Sequence, residues 1–131
     1  MYSKLIEKAE EARKLAYAPY SNFTVGAALL TKSGKIYTGC NIENASFSPT
    51  NCAERTAFFK AISEGEREFE AIAVVGANEG EDSDFCAPCG VCRQVMLEFC
   101  DADFKIVLKN KQEQKVFSLS ELIPHSFDNL L

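Results

Sequence analysis

The 131-residue sequence predicts an α/β fold: a three-layer α-β-α sandwich around a central mixed five-stranded sheet. Three observations carry that expectation. The patterns along the chain follow the order α-β-β-α-β-α-β-β-α. An early pair of strand-like runs meets at Lys32-Ser33-Gly34, a hairpin signal that makes the sheet mixed rather than purely parallel. The run Ala71 to Ala77 is apolar without alternation, as in a strand covered on both faces.

Each element has its own signal. Leu5, Ile6, Ala9, Ala12, Leu15 and Ala16 recur at helical spacing, which predicts an amphipathic helix over 3–17, stopped by Pro19. Strands are expected over 24–31 and 35–42, followed by a polar loop over 44–51 that holds Pro49. A helix over 52–64 closes at Gly65, where a C-cap favours glycine. After the apolar strand comes a loop over 78–88, then a helix over 89–99. Short strands over 104–108 and 115–117 and a short helix over 119–123, cut off by Pro124, complete the chain. The Lys109 to Lys115 run reads as a solvated turn. No repeat, linker or low-complexity segment interrupts residues 1–131, so one domain is expected.

Composition excludes some functions. Hydrophobic residues at 47% and charged residues at 25% match an ordinary water-soluble globular chain. No apolar run approaches the roughly 20 residues of a membrane span. The N-terminal residues 1–8 alternate charge with apolar residues and lack the apolar stretch of a signal peptide, so the expected location is the cytoplasm. The net charge is −5, and Arg13, Arg55, Arg67 and Arg93 are the only arginines. A nucleic-acid partner would call for a basic face, which this sequence does not offer.

The chemistry lies in two cysteine motifs. Asn51-Cys52-Ala53-Glu54-Arg55 opens one expected helix, and Pro88-Cys89-Gly90-Val91-Cys92-Arg93-Gln94 opens the next long one. Cys89 and Cys92, three apart at a helix N-terminus, can turn both sulfurs to one metal, with Cys52 as a third thiolate. Helix N-termini lower thiol pKa and so favour the thiolate that zinc takes. Three protein ligands leave a fourth position for water, the mark of a catalytic zinc. Three thiolates on Zn²⁺ leave about −1 net charge by formal counting, which Arg55 is placed to offset. Glu54, two residues after Cys52, is placed to move protons at the water.

Other readings exist for the same residues. Asn51-x-x-Glu54 also has the form of a helix capping box. Cys86 with Cys89 and Cys92 has the spacing of the start of an iron–sulfur run, although Met96 stands where that pattern needs its fourth cysteine. Cys86 as a fourth ligand would close the zinc site and make it structural. Cys40 and Cys100 suit small buried hydrophobes, and His125 a surface position.

A ligand two residues before a Glu, followed by Pro-Cys-x-x-Cys, is the signature of zinc nucleobase deaminases. The sequence resembles the short-type, homotetrameric cytidine deaminases nearly end to end. The likeness includes Ala18 to Ala28, Gly39 to Ser46, both cysteine motifs and Glu121-Leu122-Ile123-Pro124. The resemblance implies Zn²⁺ held by Cys52, Cys89 and Cys92, attack of the activated water on C4 of cytidine or 2′-deoxycytidine, and loss of ammonia. Glu54 is then the proton shuttle. Asn41 and Glu43 match the pair that holds the ribose 3′-hydroxyl, and Phe23 an aromatic against the base. Ala53 is implied in substrate binding, Arg55 in bonding the thiolates, and Phe127 in reaching a neighbouring subunit's pocket. The implied partners are a small nucleoside and further copies of the chain, and the implied role is pyrimidine salvage. Three positions depart from the family pattern: Ala87 stands where Ser is frequent, Phe47 where Tyr is frequent, and Cys86 is an added thiol.

Overall fold

The computed structural model describes residues 2–128. The helices are α1 (Ser3–Arg13), α2 (Ala53–Ser63), α3 (Gly90–Phe99) and α4 (Leu119–Leu122). The strands are β1 (Phe23–Thr31), β2 (Ile36–Cys40), β3 (Phe69–Asn78), β4 (Lys105–Lys109) and β5 (Gln114–Ser118). They form one mixed sheet in the order β2-β1-β3-β4-β5. Only β3 and β4, joined through α3, run parallel; the other neighbouring pairs are antiparallel.

β3 shows why its apolar run lacks alternation. Ile72 and Val74 face a core shared with Ala57, Phe58 and Ala61 of α2 and Met96 of α3. Ala71, Ala73 and Val75 face the opposite core, where Leu5, Ile6 and Ala9 of α1 pack. A strand sandwiched this way must be apolar at odd and even positions alike. The three layers are therefore α1, the sheet, and the α2–α3 pair, with Leu119 of α4 closing the larger core.

The predicted element order holds, with three corrections. α1 ends at Arg13 rather than near residue 17. Leu15 and Ala16 continue only as a turn with i→i−3 bonds, and Leu15 is exposed. The chain must leave the helix there, because Tyr17 bonds the Asn41–Glu43 segment from both its N–H and its carbonyl. Second, the Lys109–Lys115 run is less of a turn than its charge suggests. Its ends belong to β4 and β5, and only 110–113 turn, with Asn110 Oδ1 accepting from the Gln112 and Glu113 N–H groups at 2.8 Å. Third, the capping box lies elsewhere. Cys52, not Asn51, is the N-cap of α2, and Asn51 instead donates to Thr56. A genuine box closes α4, where Glu121 accepts from the Ser118 N–H and hydroxyl.

Gly39 sets how close α2 sits. A Cβ there would lie 2.4 Å from the Ala53 carbonyl oxygen and 2.6 Å from the Ala57 nitrogen. Glycine thus lets the first turn of α2 rest on β2, at the end of the sheet where β2 and β3 finish and β1 begins. Ligands in open α/β folds collect at the carboxyl ends of strands, and the candidate site lies there.

Candidate active site

Two helix N-termini converge on this end of the sheet. Cys52 is the N-cap of α2 and Cys89 the N-cap of α3, both with extended backbone and neither using its side chain to cap. Their sulfurs are left free, facing the unpaired N–H groups of the first turns. Cys92, in the first turn of α3, is 1% exposed. The three sulfurs lie within 4.8 Å of one another, and Cys52 and Cys89 are 3.9 Å apart. A tetrahedral zinc with Zn–S of about 2.3 Å sets its sulfurs about 3.8 Å apart, so the donor set fits that ion.

Cys86 stays outside the cluster. Among the described residues, the group able to hold a metal is Cys52, Cys89 and Cys92 alone. The Cys86 side chain instead packs on Gly76 and forms part of the pocket wall. Burial pushes its thiol up to about 12, the opposite of what a ligand needs. The closed four-thiolate arrangement is therefore not formed.

Charge is arranged around the sulfurs. Arg55 donates from Nη2 to the Cys52 sulfur at 3.0 Å, and its Nε is buried without a partner. Cys52 is held well below the usual thiol range, first by the Cys92 thiol that bonds it and then by the Arg55 guanidinium. Cys92 is raised correspondingly, because it keeps the proton it shares with Cys52, and burial adds to the rise. Metal binding must displace that proton. Burial would lower the Arg55 pKa, but its bonds to Cys52 and Cys92 outweigh that and raise it. Glu54 is 5% exposed, and burial lifts its carboxyl to about 7. That value lets one group both accept and return a proton near neutrality.

The pocket beside the cluster measures about 200 Å³. Val25, Asn41, Glu43, Ala53, Glu54, Cys86, Ala87 and Cys89 line it, and among the described residues no Lys or Arg does. Asn41 and Glu43 both face it, as their spacing suggests. Asn41 Oδ1 accepts from the Val25 N–H at 2.9 Å, while Nδ2 donates to the Phe23 carbonyl at 2.8 Å. Glu43 accepts from the Tyr20 and Ser21 N–H groups at 2.9 and 3.1 Å and from the Ser21 hydroxyl. These bonds hold its carboxyl below the usual range, the Ser21 hydroxyl most of all.

Two predicted residues stand apart. Phe23 lines a neighbouring groove with Gly76 and Phe85 rather than the pocket itself. Phe127 is 66% exposed and lies outside its own chain's pocket, its carbonyl accepting from Gln94. The structure also adds Val25 and Thr50 to the pocket lining and Ser21 to the support of Glu43. A valine, a threonine and a serine carry no spacing signal that would have marked them.

The cytidine and deoxycytidylate deaminase zinc-binding region matches residues 1–108. The chain belongs to this family. A cytidine deaminase of Sporosarcina psychrophila is 53% identical over 95% of this chain and 89% of that protein. The crystal structure of a Burkholderia pseudomallei cytidine deaminase superposes with a TM-score of 0.88 at 52% identity, covering 97% of this chain and 99% of the other. A blasticidin-S deaminase of Bacillus cereus is 31% identical over 92% of this chain and 88% of its own length. Family membership makes the ion that suits the three sulfurs zinc, and leaves no reason to read them as an iron–sulfur site.

Proposed function

We propose that this chain is a zinc-dependent cytidine deaminase that converts cytidine and 2′-deoxycytidine, with water, to uridine or 2′-deoxyuridine and ammonia in pyrimidine salvage. The observation that carries the reading is the open three-thiolate cluster with a buried carboxyl at about 7 two residues from its first ligand. Cys52, Cys89 and Cys92 hold the metal, and Arg55 offsets the surplus negative charge of three thiolates. Zinc there would supply a water acidic enough to give up a proton and serve as the nucleophile at the ring carbon that bears the amine. Glu54 would take one proton from the attacking water and place it on ring N3, then take the second from the new C4 hydroxyl and give it to the departing amine, so that ammonia leaves neutral and a C4 carbonyl remains.

The remaining pocket residues bind and orient. Ala53 brings a backbone N–H of the unpaired first turn of α2 to the base. Asn41 keeps a second amide N–H, and Glu43 keeps spare lone pairs, for the sugar hydroxyl. Phe23 flanks the base from its groove. The absence of Lys and Arg from the pocket lining favours an uncharged nucleoside over a nucleic-acid strand.

Residues 1–131 act as one catalytic domain, because the two cysteine helices pack together on one face of the single sheet and α1 covers the other. Copies of the chain assemble as a homotetramer, with Phe127 completing a neighbour's pocket. Phe47 at 87% exposure and Tyr20 at 62%, both near the pocket loops, suit such contacts. Six free cysteines suit the reducing cytoplasm, and no helix among the described residues is long and apolar enough to cross a membrane.

The test is the fall in ultraviolet absorbance when zinc-loaded protein meets cytidine, 2′-deoxycytidine or blasticidin S at equal concentration. Faster turnover of the two nucleosides supports the reading. Turnover of blasticidin S alone would move the substrate class, and bound zinc without turnover of any would end the proposal. Sedimentation of the native protein as a monomer would remove the tetramer.

A further inference from the structure

The segment 79–89 between β3 and α3 raises a positioning problem. It contains no helix or strand, and Glu79, Glu81, Asp82 and Asp84 on it are exposed. Connections of this kind are ordinarily the mobile parts of a fold. Yet this one ends on Cys89, which must stand within thiolate distance of Cys52, and it carries Cys86 and Ala87 into the pocket wall. Functional groups of this kind need placement to about half an ångström.

One residue of the segment is a buried polar group. Ser83 is 3% exposed. Its Oγ accepts from the Gly76 N–H at 2.9 Å and shares its proton between the carbonyls of Gly76 at 3.3 Å and Asp84 at 3.0 Å. The Asp84 N–H returns to the Gly76 carbonyl at 3.3 Å. Gly76 lies near the end of β3, just where the sheet meets the site. Its missing side chain lets the segment press down: a Cβ there would be 2.8 Å from the Cys86 sulfur and 3.2 Å from the Phe23 ring. Between these contacts, Phe85 lies under the Lys115 ammonium of β5 at 4.6 Å. At the far end α3 holds the last two residues, the Arg93 N–H bonding the Cys89 carbonyl at 2.9 Å and Arg93 Nε the Pro88 carbonyl at 2.7 Å, so Ser83 supplies the anchor at the near end.

We propose that Ser83 is a positioning residue for the metal centre: by tying the segment to Gly76, it fixes where Cys86–Cys89 stand against Cys52. The inference rests on reading Cys52, Cys89 and Cys92 as the metal ligands. It assigns Ser83 no contact with substrate. Residues that support metal ligands typically contribute 10–100-fold to metal retention, and an anchor six residues upstream of Cys89 belongs at the lower end.

The test compares Ser83→Ala with Thr31→Val. Thr31 is also a buried hydroxyl, 1% exposed, bonded to Ser33 and the Lys35 N–H at the far hairpin. Native protein is loaded with zinc or cobalt. Zinc transfer to an excess of chelator, and the cobalt–thiolate absorption bands, are then recorded. Ser83→Ala should lose zinc roughly ten-fold faster and shift the cobalt bands, and Ser83→Thr, which keeps the hydroxyl, should restore zinc retention. Thr31→Val should lower Tm yet leave both readouts at wild-type values. Equal effects from the two variants, or no effect from Ser83→Ala, would overturn the proposal. Wild-type protein that gives no cobalt–thiolate bands would overturn the metal-centre reading itself.

Linkage supplies a measurement that needs no variant. If Ser83 holds a ligand in place, the metal holds Ser83 in place to the same degree. Stripping zinc from wild-type protein should speed amide hydrogen exchange at Gly76 and Asp84 and leave Lys35 unchanged. Unchanged exchange at Gly76 and Asp84 would contradict the coupling.

Discussion

The two sides of the pocket present the same chemical device, a cysteine at a helix N-cap, mounted in different ways. On one side Cys52 enters α2, whose Ala53, Ala57, Phe58 and Ala61 are wholly buried and whose first turn rests on Gly39. On the other, Cys89 comes at the end of an eleven-residue connection held by a few polar contacts around Ser83. The difference teaches that Cys52 is placed by the hydrophobic core, whereas Cys89, at the start of a helix that also enters that core, depends in addition on hydrogen bonds in the connection ahead of it. Damage to the α2 side should therefore unfold the protein and lose the metal together. Damage to the connection should lose the metal from a protein that stays folded.

The largest effect should come from Glu54, which the core side carries but the core does not need. Glu54→Gln should keep zinc and fold and lower turnover by about 10²–10⁴-fold, the usual contribution of a positioned proton shuttle. Steady-state rates beside zinc content check it, and a fully active variant removes Glu54 from the chemistry. Next comes Phe58→Ala. The ring is wholly buried, 5.2 Å from the Phe69 centroid and 6.0 Å from that of Phe104. Urea unfolding of the zinc-loaded protein should show a loss of about 3–5 kcal/mol, with zinc release tracking the unfolding curve. Zinc release well before unfolding would break the comparison.

Insertions should sharpen the other half of it. Two glycines added after Gly80, at the exposed tip upstream of Ser83, should leave Tm and zinc retention nearly unchanged, since loop lengthening costs only a few tenths of a kcal/mol. The same insertion after Asp84, between Ser83 and Cys89, should leave the fold but release zinc faster. Equal tolerance at both points would mean that Ser83 anchors nothing.

The smallest effect concerns acid. Glu43 has its pKa lowered in the folded state by the Ser21 hydroxyl and two N–H groups, from an ordinary 4.5. A depressed carboxyl stabilises the fold fully above its unfolded pKa and loses that contribution as pH falls through the lower, folded value. The Tm gap between wild type and Glu43→Gln should thus be constant near neutrality and narrow below about pH 4. A gap that widens in acid would contradict the bonding at Glu43.

The order of elements and the cluster of Cys52, Cys89 and Cys92 that could hold a metal were legible in the sequence, because both rest on patterns: apolar periodicity for the sheet and helices, and fixed spacing for the cysteines. The end of α1 was not legible. Leu15 and Ala16 keep the helical period, and only the pairing of Tyr17 with the Asn41–Glu43 segment, a distant contact, pulls the chain out of the helix. The capping alternative at Asn51 falls away for a related reason. Its spacing to Glu54 suits a capping box, but the strand-like bridge between Ile42 and Asn51 keeps it outside the helix. Phe23, expected against the base, lines the neighbouring groove with Gly76 and Phe85. Ser83 gave no signal at all, since an isolated serine in an acidic loop looks solvated until the end of β3 is folded over it.

The central claim is tested most directly by titrating zinc into metal-free protein with excess cytidine present and measuring ammonia. Release should rise in proportion to added zinc and stop rising at one equivalent per chain, with Glu54→Gln binding the same equivalent and releasing almost none. Ammonia release by metal-free protein, or zinc binding to one equivalent without release by the wild type, would contradict the account.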